Sequence, residues 1–321
     1  MTIVACTFGD PTASGEVEEL LTLARRLSES NASDLRWLVA GSAPRAAVEE
    51  LAAAYGVATV DRIDDPKLEG AAPDASVEAL AQYCASRPPA TLLLSQTFDA
   101  RLVAPRLAGR VNATVMMNAV DVENDVGTVR VTVSAYGGDT RAVYELTGDG
   151  PHVIGVMANA TAPERSSGAT PVINDVSVDL SRIEERIRIV ERTPEQGPRL
   201  EDANIIVAGG RGLGSADKFH HVEDLAEALG GMAAASRPIV DDGWADPSRQ
   251  IGLTGKVARP ALYIAAGISG ASQHMAGCSA AKTIVAINRD PDAPIFRYAR
   301  YGIVGDCIEL LTELTNAVKA R

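Results

Sequence analysis

Between residues 209 and 215 the chain reads Gly-Gly-Arg-Gly-Leu-Gly-Ser, directly after the aliphatic run Asn204–Gly209 and before a stretch whose apolar face is Phe219, Val222, Leu225 and Leu229. A glycine-rich turn that opens a helix lets backbone N–H groups approach an anion, and the helix dipole favours the negative charge. Arg211 adds a guanidinium able to hold phosphate in a bidentate way. The same glycines could serve only to bend the chain. Further on, Ser269-Gly270-Ala271-Ser272-Gln273-His274 follows the run Leu262–Ala266. A lone histidine on an apolar helix is usually structural, so His274 by itself specifies no chemistry. Asp306 precedes the helical stretch Cys307–Val318, where its simplest role is an N-cap. His220 and His221 fall on the helix after the glycine turn, one facing solvent, and are assigned no role. Tyr298 and Tyr301 follow the loop Asp290-Pro291-Asp292-Ala293-Pro294 and read as packing surface.

The elements that must position these residues alternate between strand and helix. Thr2–Phe8 reads as a strand, and Val17, Leu20, Leu21, Ala24 and Leu27 share one helical face, with Ser14 a candidate cap. Leu35–Gly41 is a second strand and Ser42–Tyr55 a helix stopped by Gly56, which completes a βαβ unit. A third helix runs from Asp74 or Ser76 to Cys84. Thr91–Gln96 then has the unbroken apolar character of a parallel strand covered on both faces, and Asp99 begins another helix. From Thr114 to Val156 the pattern turns β-rich, with Thr128–Ser134 and Arg141–Leu146 flanking Tyr136-Gly137-Gly138-Asp139 as a hairpin. Between Pro163 and Pro198 lie Ser166-Ser167-Gly168, an Ile183–Val190 stretch that fits helix or strand, Pro194 and Gly197-Pro198; the linker is placed there. A fresh βα pattern follows: the Asn204–Gly209 strand, an Asp217–Leu229 helix, and strands at Leu262–Ala266, Thr283–Ile287 and Ile303–Val304. The expectation is a mixed-sheet α/β domain over 1–192 and a doubly wound parallel-sheet, nucleotide-binding domain over 193–321.

Composition narrows the function classes. At 321 residues the chain suits two domains, and 46% hydrophobic with 22% charged residues is typical of globular proteins. A net charge of −12 supplies no basic stripe for nucleic acid and no attraction to anionic membranes. The four cysteines, Cys6, Cys84, Cys278 and Cys307, lack CxxC spacing, which argues against zinc or iron–sulfur sites. The N-terminus enters a strand at once with no basic-then-apolar leader, and no run approaches 18 apolar residues. A cytoplasmic protein is expected.

The stretch Leu262-Tyr263-Ile264-Ala265-Ala266-Gly267-Ile268-Ser269-Gly270-Ala271-Ser272-Gln273-His274, continuing through Met275-Ala276-Gly277 to Thr283-Ile284-Val285-Ala286-Ile287-Asn288, resembles the signature of electron-transfer flavoprotein α subunits. The likeness extends over Asn204–Leu314 and takes in the Arg211 turn, Ala235-Ser236-Arg237, Asp242-Gly243-Trp244, Thr254-Gly255-Lys256, Ala293-Pro294-Ile295-Phe296 and Tyr301-Gly302-Ile303-Val304-Gly305-Asp306. Residues 1–190 match only in pattern. The resemblance implies that the C-terminal domain binds FAD and that the N-terminal domain pairs with a β subunit, which in the family holds AMP.

Carried over residue by residue, the resemblance lays Arg211, Ser236, Asn288 and Asp306, with Cys307 beside it, along the pyrophosphate and adenosine half of FAD. Ser269, Gly270, Ala271, Ser272, Gln273 and His274 match the segment that follows the ribityl chain, and His274 matches a donor near flavin O2. Negative charge collects at N1 and O2 on reduction, so a donor there favours the reduced ring. Arg237 matches an arginine packed on the ring; about 1.4 kcal/mol of preference for the charged ring moves a one-electron potential by about 59 mV. Thr254, within Ile251-Gly252-Leu253-Thr254, matches a hydroxyl that reaches N5. Leu253 departs from the glutamine many members carry, which removes one polar contact. The implied function is an electron carrier, not a stand-alone enzyme, that shuttles single electrons from dehydrogenases to a respiratory, quinone-linked acceptor. A subunit of a bifurcating, NAD-linked flavoprotein is the alternative, and a nucleotide-binding module whose redox role has lapsed is a third.

Overall fold

The computed structural model of the chain describes residues 1–11, 16–30, 32–70, 72–125, 128–135, 140–148, 150–158, 160–166, 170–187, 189–190 and 199–320. The chain forms two compact units, Met1–Ser134 with Arg141–Thr193, and Ala135–Thr140 with Pro194–Arg321. Among the described residues no helix is long and apolar enough to cross a membrane.

In the first unit the elements run β1 (Thr2–Phe8), α1 (Glu16–Ser30), β2 (Asp34–Ala40), α2 (Arg45–Ala54), β3 (Thr59–Ile63), α3 (Pro73–Ser86), β4 (Thr91–Ser95), α4 (Phe98–Val111), β5 (Thr114–Asp125), β6 (Thr128–Ala135), β7 (Thr140–Leu146), β8 (His152–Val156) and β9 (Val172–Asp175). They build a nine-stranded sheet in the order β7-β6-β5-β8-β4-β1-β2-β3-β9. The sheet is mixed: β1 pairs in parallel with β2 and β4, whereas β5 and β6 are antiparallel. Apolar residues lie on both faces because parallel strands need cover on each side. The expected helical face of α1 is buried at Val17, Leu20, Leu21, Ala24 and Leu27.

Some expectations shift. The Ser42–Tyr55 helix starts at Arg45, because Gly41 takes a φ of +119° and Pro44 is extended at the N-cap. β3 was hidden by its own charges: Asp61 and Arg62 interrupt the apolar run, yet Asp61 is fully buried. It accepts from Tyr83 Oη at 2.8 Å, Asn174 Nδ2 at 3.1 Å and Arg36 Nη1 at 3.2 Å. In the Ile183–Val190 stretch, residues 183–187 form neither helix nor strand. Their polar groups are used elsewhere. Lys67 Nζ donates to the Ile183 carbonyl at 2.9 Å, and the Glu185 carboxylate takes the N–H groups of Asp74 and Ala75 at the start of α3, whose own N-cap, Ala72, offers no side chain. Ser14, the Tyr136–Asp139 turn, and Ser167, Gly168, Pro194, Gly197 and Pro198 of the linker lie outside the described residues.

The second unit contains β10 (Ile205–Gly209), α5 (His220–Ala228), β11 (Met232–Ser236), α6 (Arg237–Asp241), β12 (Gln250–Ile251), β13 (Leu262–Ala266), α7 (Ser272–Met275), β14 (Thr283–Asn288), β15 (Tyr301–Val304) and α8 (Cys307–Lys319). Its six strands are ordered β12-β11-β10-β13-β14-β15, and every neighbouring pair is parallel. This is the doubly wound arrangement, with chain direction across the sheet reversing between β10 and β13. One apolar layer joins the sheet to α5 and α8, and the other joins it to α7 and the segments around Ala258 and Ile295. Ligands in open parallel sheets bind beyond the strands' carboxyl ends at such a reversal.

Candidate functional site

A cavity of about 760 Å³ opens at this reversal point and is fed by the residues that leave the strands, a size within the range of cofactor pockets. Arg211 and Gly212 come from the turn after β10, Ser236 and Arg237 from the end of β11, and Ile251, Gly252, Leu253 and Thr254 from the end of β12. Ser269, Ala271, Gln273 and His274 follow β13, and Asn288 ends β14. The structure thus brings together twelve of the sequence-predicted residues. Gly270, Ser272, Asp306 and Cys307 do not line the cavity.

The glycine turn works differently from the sequence expectation. Four of its amides are already spent: Gly210 N–H donates to Ala266 O at 2.9 Å, Gly212 N–H to Gly267 O at 3.0 Å, Leu213 N–H to Gly210 O at 3.1 Å and Gly214 N–H to Arg211 O at 3.0 Å. The glycines let two loops touch backbone to backbone: a Cβ on Gly212 would lie 2.5 Å from Gly267 Cα, and Gly267 itself has a φ of +65°. Those four N–H groups are not free for an anion, which leaves the Arg211 side chain as the cation the turn offers. That side chain is held by a two-point contact to Asp242, 2.8 Å from Nε and 3.0 Å from Nη2. The hydrogen bonds to Asp242 raise the Arg211 pKa and keep the Asp242 carboxyl below its ordinary value. Arg237 contacts Asp241 at 3.2 Å, and 62% of its side chain is exposed in the chain by itself. Two adjacent acids at the end of α6 therefore steer two cations at the cavity mouth.

Neutral polar groups line the remainder. Ser236 is 5% exposed and its hydroxyl does not cap α6. Gln250 Nε2 donates to Thr254 Oγ1 at 3.0 Å, which leaves the hydroxyl hydrogen for another acceptor. Asn288 donates to Ile268 O at 2.9 Å and accepts from Asp290 N–H at 3.0 Å, so it fastens two loops and keeps one amide hydrogen. Leu253 is half-exposed, its N–H bonded to Gln273 O at 2.7 Å.

His274 sits in the first turn of α7, 8% exposed, with Nε2 2.9 Å from Tyr263 Oη. Burial drives its pKa down to about 4, against a smaller upward pull from the Ile251 backbone carbonyl. Near pH 7 it is a neutral donor, not a cation. Among the described residues no group meets its buried Nδ1 in good hydrogen-bond geometry, and an unsatisfied buried polar atom is costly.

Asp306 acts as the N-cap of α8, accepting from Ile308 N–H at 2.8 Å and Glu309 N–H at 3.4 Å, and pairs with Arg289. Those bonds, that from Arg289 first, hold its carboxyl below the ordinary range. The Cys307 thiol is buried behind the glycine turn and donates to Gly212 O at 3.3 Å. Gly270 takes a φ of +83° with Ile295 backbone packed where a Cβ would stand. These residues shape the wall. Sequence reasoning missed Gln250, Asp241 and Asp290 on the lining and Tyr263 behind His274. The signal available for Gln250 was its place at the end of a strand, but β12 spans only two residues.

A buried imidazole, two guanidinium groups and neutral hydroxyl and amide groups on one lining, with two loops in backbone contact at Gly212 and Gly267, fit an elongated, anionic, ring-bearing cofactor. Residues 199–279 match the electron transfer flavoprotein FAD-binding domain family, and residues 10–181 match the electron transfer flavoprotein domain family. The electron transfer flavoprotein subunit alpha of Thermoanaerobacterium thermosaccharolyticum is 35% identical over 307 residues, covering 94% of this chain and 92% of that protein. The protein of the same name from Mycobacterium tuberculosis is 41% identical over 310 residues, with 94% and 93% covered. That from Mycobacterium leprae is 43% identical over 249 residues, with 76% of each chain covered. The chain belongs to the electron transfer flavoprotein α-subunit family, and its second unit contains that family's FAD-binding domain.

Proposed function

We propose that this chain is the FAD-bearing subunit of a heterodimeric electron carrier that takes single electrons from dehydrogenases and passes them to a quinone-linked acceptor in the cytoplasm. The observation that carries the reading is the strand-end cavity whose lining joins the buried imidazole of His274, the Thr254 hydroxyl and the guanidinium groups of Arg211 and Arg237. FAD, when bound, supplies a ring that accepts and releases electrons; no bond-making acid or base is required of the protein.

The chain's own residues do the rest. Arg211, with Ser236 and Asn288, binds the phosphate and adenosine half. Asp306 and Cys307 support that half from behind the wall. With FAD bound, Thr254 would offer a hydroxyl hydrogen to the ring's central nitrogen, and His274 would offer a neutral N–H to the pyrimidine carbonyl. Arg237, whose pair with Asp241 is exposed, would supply the cation for the ring, where a charge is worth more than in water. Ile251, Gly252 and Leu253 exclude water along one edge. The first unit pairs with a second subunit that holds AMP.

Purifying the chain with its natural partner and counting nucleotides tests this reading. One FAD and one AMP per pair supports the carrier. Two FADs would favour a bifurcating, NAD-linked assembly, and a colourless folded pair would overturn the redox reading.

A further inference from the structure

Behind the cavity wall, His274 packs against two polar side chains outside the cavity lining, Tyr263 on β13 and Cys278 just beyond α7. Tyr263 is 0% exposed and Cys278 1%. The hydroxyl of Tyr263 is 2.9 Å from His274 Nε2, and the Cys278 thiol donates to the His274 carbonyl at 3.6 Å. The hydrogens in this dry cluster can be assigned one by one. Burial raises the Tyr263 pKa well above its ordinary value, so the phenol keeps its hydrogen. A buried hydroxyl must donate, and the strongest acceptor beside it is an imidazole nitrogen; the Cys278 sulfur is a weak one. If Nε2 accepts, the single hydrogen of the neutral ring resides on Nδ1. Nδ1 is buried and meets no group of the described residues in good hydrogen-bond geometry, with the Ile251 carbonyl the acceptor acting on the ring.

We propose that Tyr263 is a positioning residue: by donating to His274 Nε2 it fixes the imidazole as the Nδ1–H tautomer and so readies a buried donor for an acceptor oxygen at the cavity wall. The identity of that acceptor, a pyrimidine carbonyl of FAD, rests on the function proposed above; the tautomer does not. Which nitrogen of a metal- or ligand-facing histidine carries the hydrogen is set by the bond the other nitrogen makes. Tyr263 performs that task here from a strand whose neighbours on both sides, β10 and β14, hold it in register.

The test is ¹⁵N NMR of histidine-labelled full-length protein, with His274→Gln to assign the signal. Wild type is expected to show His274 with a protonated Nδ1 and an unprotonated Nε2. Tyr263→Phe keeps the ring volume and removes the hydroxyl; it should move a large share of the hydrogen to Nε2, whereas Cys278→Ala should leave the pattern unchanged. In the loaded complex, Tyr263→Phe should weaken FAD binding roughly fivefold, the worth of one neutral hydrogen bond, and lower the reduction potential. The same change in a His274→Gln background should add nothing, since the effect passes through His274. A wild-type signal with the hydrogen on Nε2, or an unchanged pattern in Tyr263→Phe, overturns the proposal. A switched tautomer with no change in potential overturns the positioning role. Failure of the wild type to bind FAD would instead sink the cofactor reading and leave the tautomer result standing.

Discussion

Lowering the pH should destabilise the second unit through His274, and the size of the effect follows from its burial. The folded pKa of about 4 lies below the ordinary 6.5, so between those values the unfolded chain binds more protons than the folded one. Stability therefore rises with pH across that window: the penalty is absent above about 6.5, grows as pH falls and is complete below about 4. A displacement from 6.5 to about 4 corresponds to about 3 kcal/mol in full. At pH 4.5 most of that, about 2–3 kcal/mol, is already lost. The group is 8% exposed, so little solvent screening reduces these figures. Trp244 belongs to the second unit and Trp37 to the first; in a Trp37→Phe background, urea unfolding followed by tryptophan fluorescence reports the second unit alone. The difference in unfolding free energy between pH 7 and pH 4.5 should be about 2–3 kcal/mol larger with His274 present than in His274→Gln. Carboxylates titrate in both proteins and cancel in that comparison. Parallel pH profiles in the two proteins would refute the assignment of His274 as a buried neutral base.

Three further outcomes follow from other parts of the chain. Gly212→Ala forces a Cβ into the Gly267 backbone and should cost about 1–3 kcal/mol in the second unit while weakening FAD binding; a wild-type melting temperature and affinity would show that the two loops do not need to touch. Asp242→Asn should leave the melting temperature unchanged, because its pair with Arg211 is exposed, yet weaken FAD binding a few-fold as Arg211 loses its support, which equilibrium dialysis would measure. Asp61→Ala strips Tyr83, Asn174 and Arg36 of a common buried acceptor and should destabilise the first unit by about 3 kcal/mol, read from Trp37 fluorescence.

Legibility in the sequence tracked how each element is stabilised. β1, β4, β13 and β14 are unbroken aliphatic runs, and their burial between parallel neighbours is the reason they could be read directly. β3 escaped because its stability depends on Asp61 meeting partners from β2, α3 and β9, a contact that no local window contains. β11, Met-Ala-Ala-Ala-Ser, has no β-branched residue, and β12 spans two residues, so neither carries a periodic signal. At the cavity, the residue types named from the motif arrive on one lining because they all leave strands at the same end of one sheet. What the motif could not convey was which groups are already occupied. The amides of the glycine turn are consumed by the end of β13, the loop after it and the turn itself, Asp306 by its helix and Arg289, and Asn288 by two loop ends. Conversely, His274 Nε2 is met by Tyr263, eleven residues earlier on β13, a pairing that only the folded chain assembles.

The most direct check is a titration of FAD into the full-length protein, purified with its partner and stripped of nucleotide, while ¹³C-labelled histidine is observed by NMR. A single FAD per chain should appear with a flavin absorption spectrum, and the His274 resonance should move in step with occupancy as His220 and His221 stay fixed. Saturable FAD binding that leaves His274 unmoved would mean that the ring lies elsewhere.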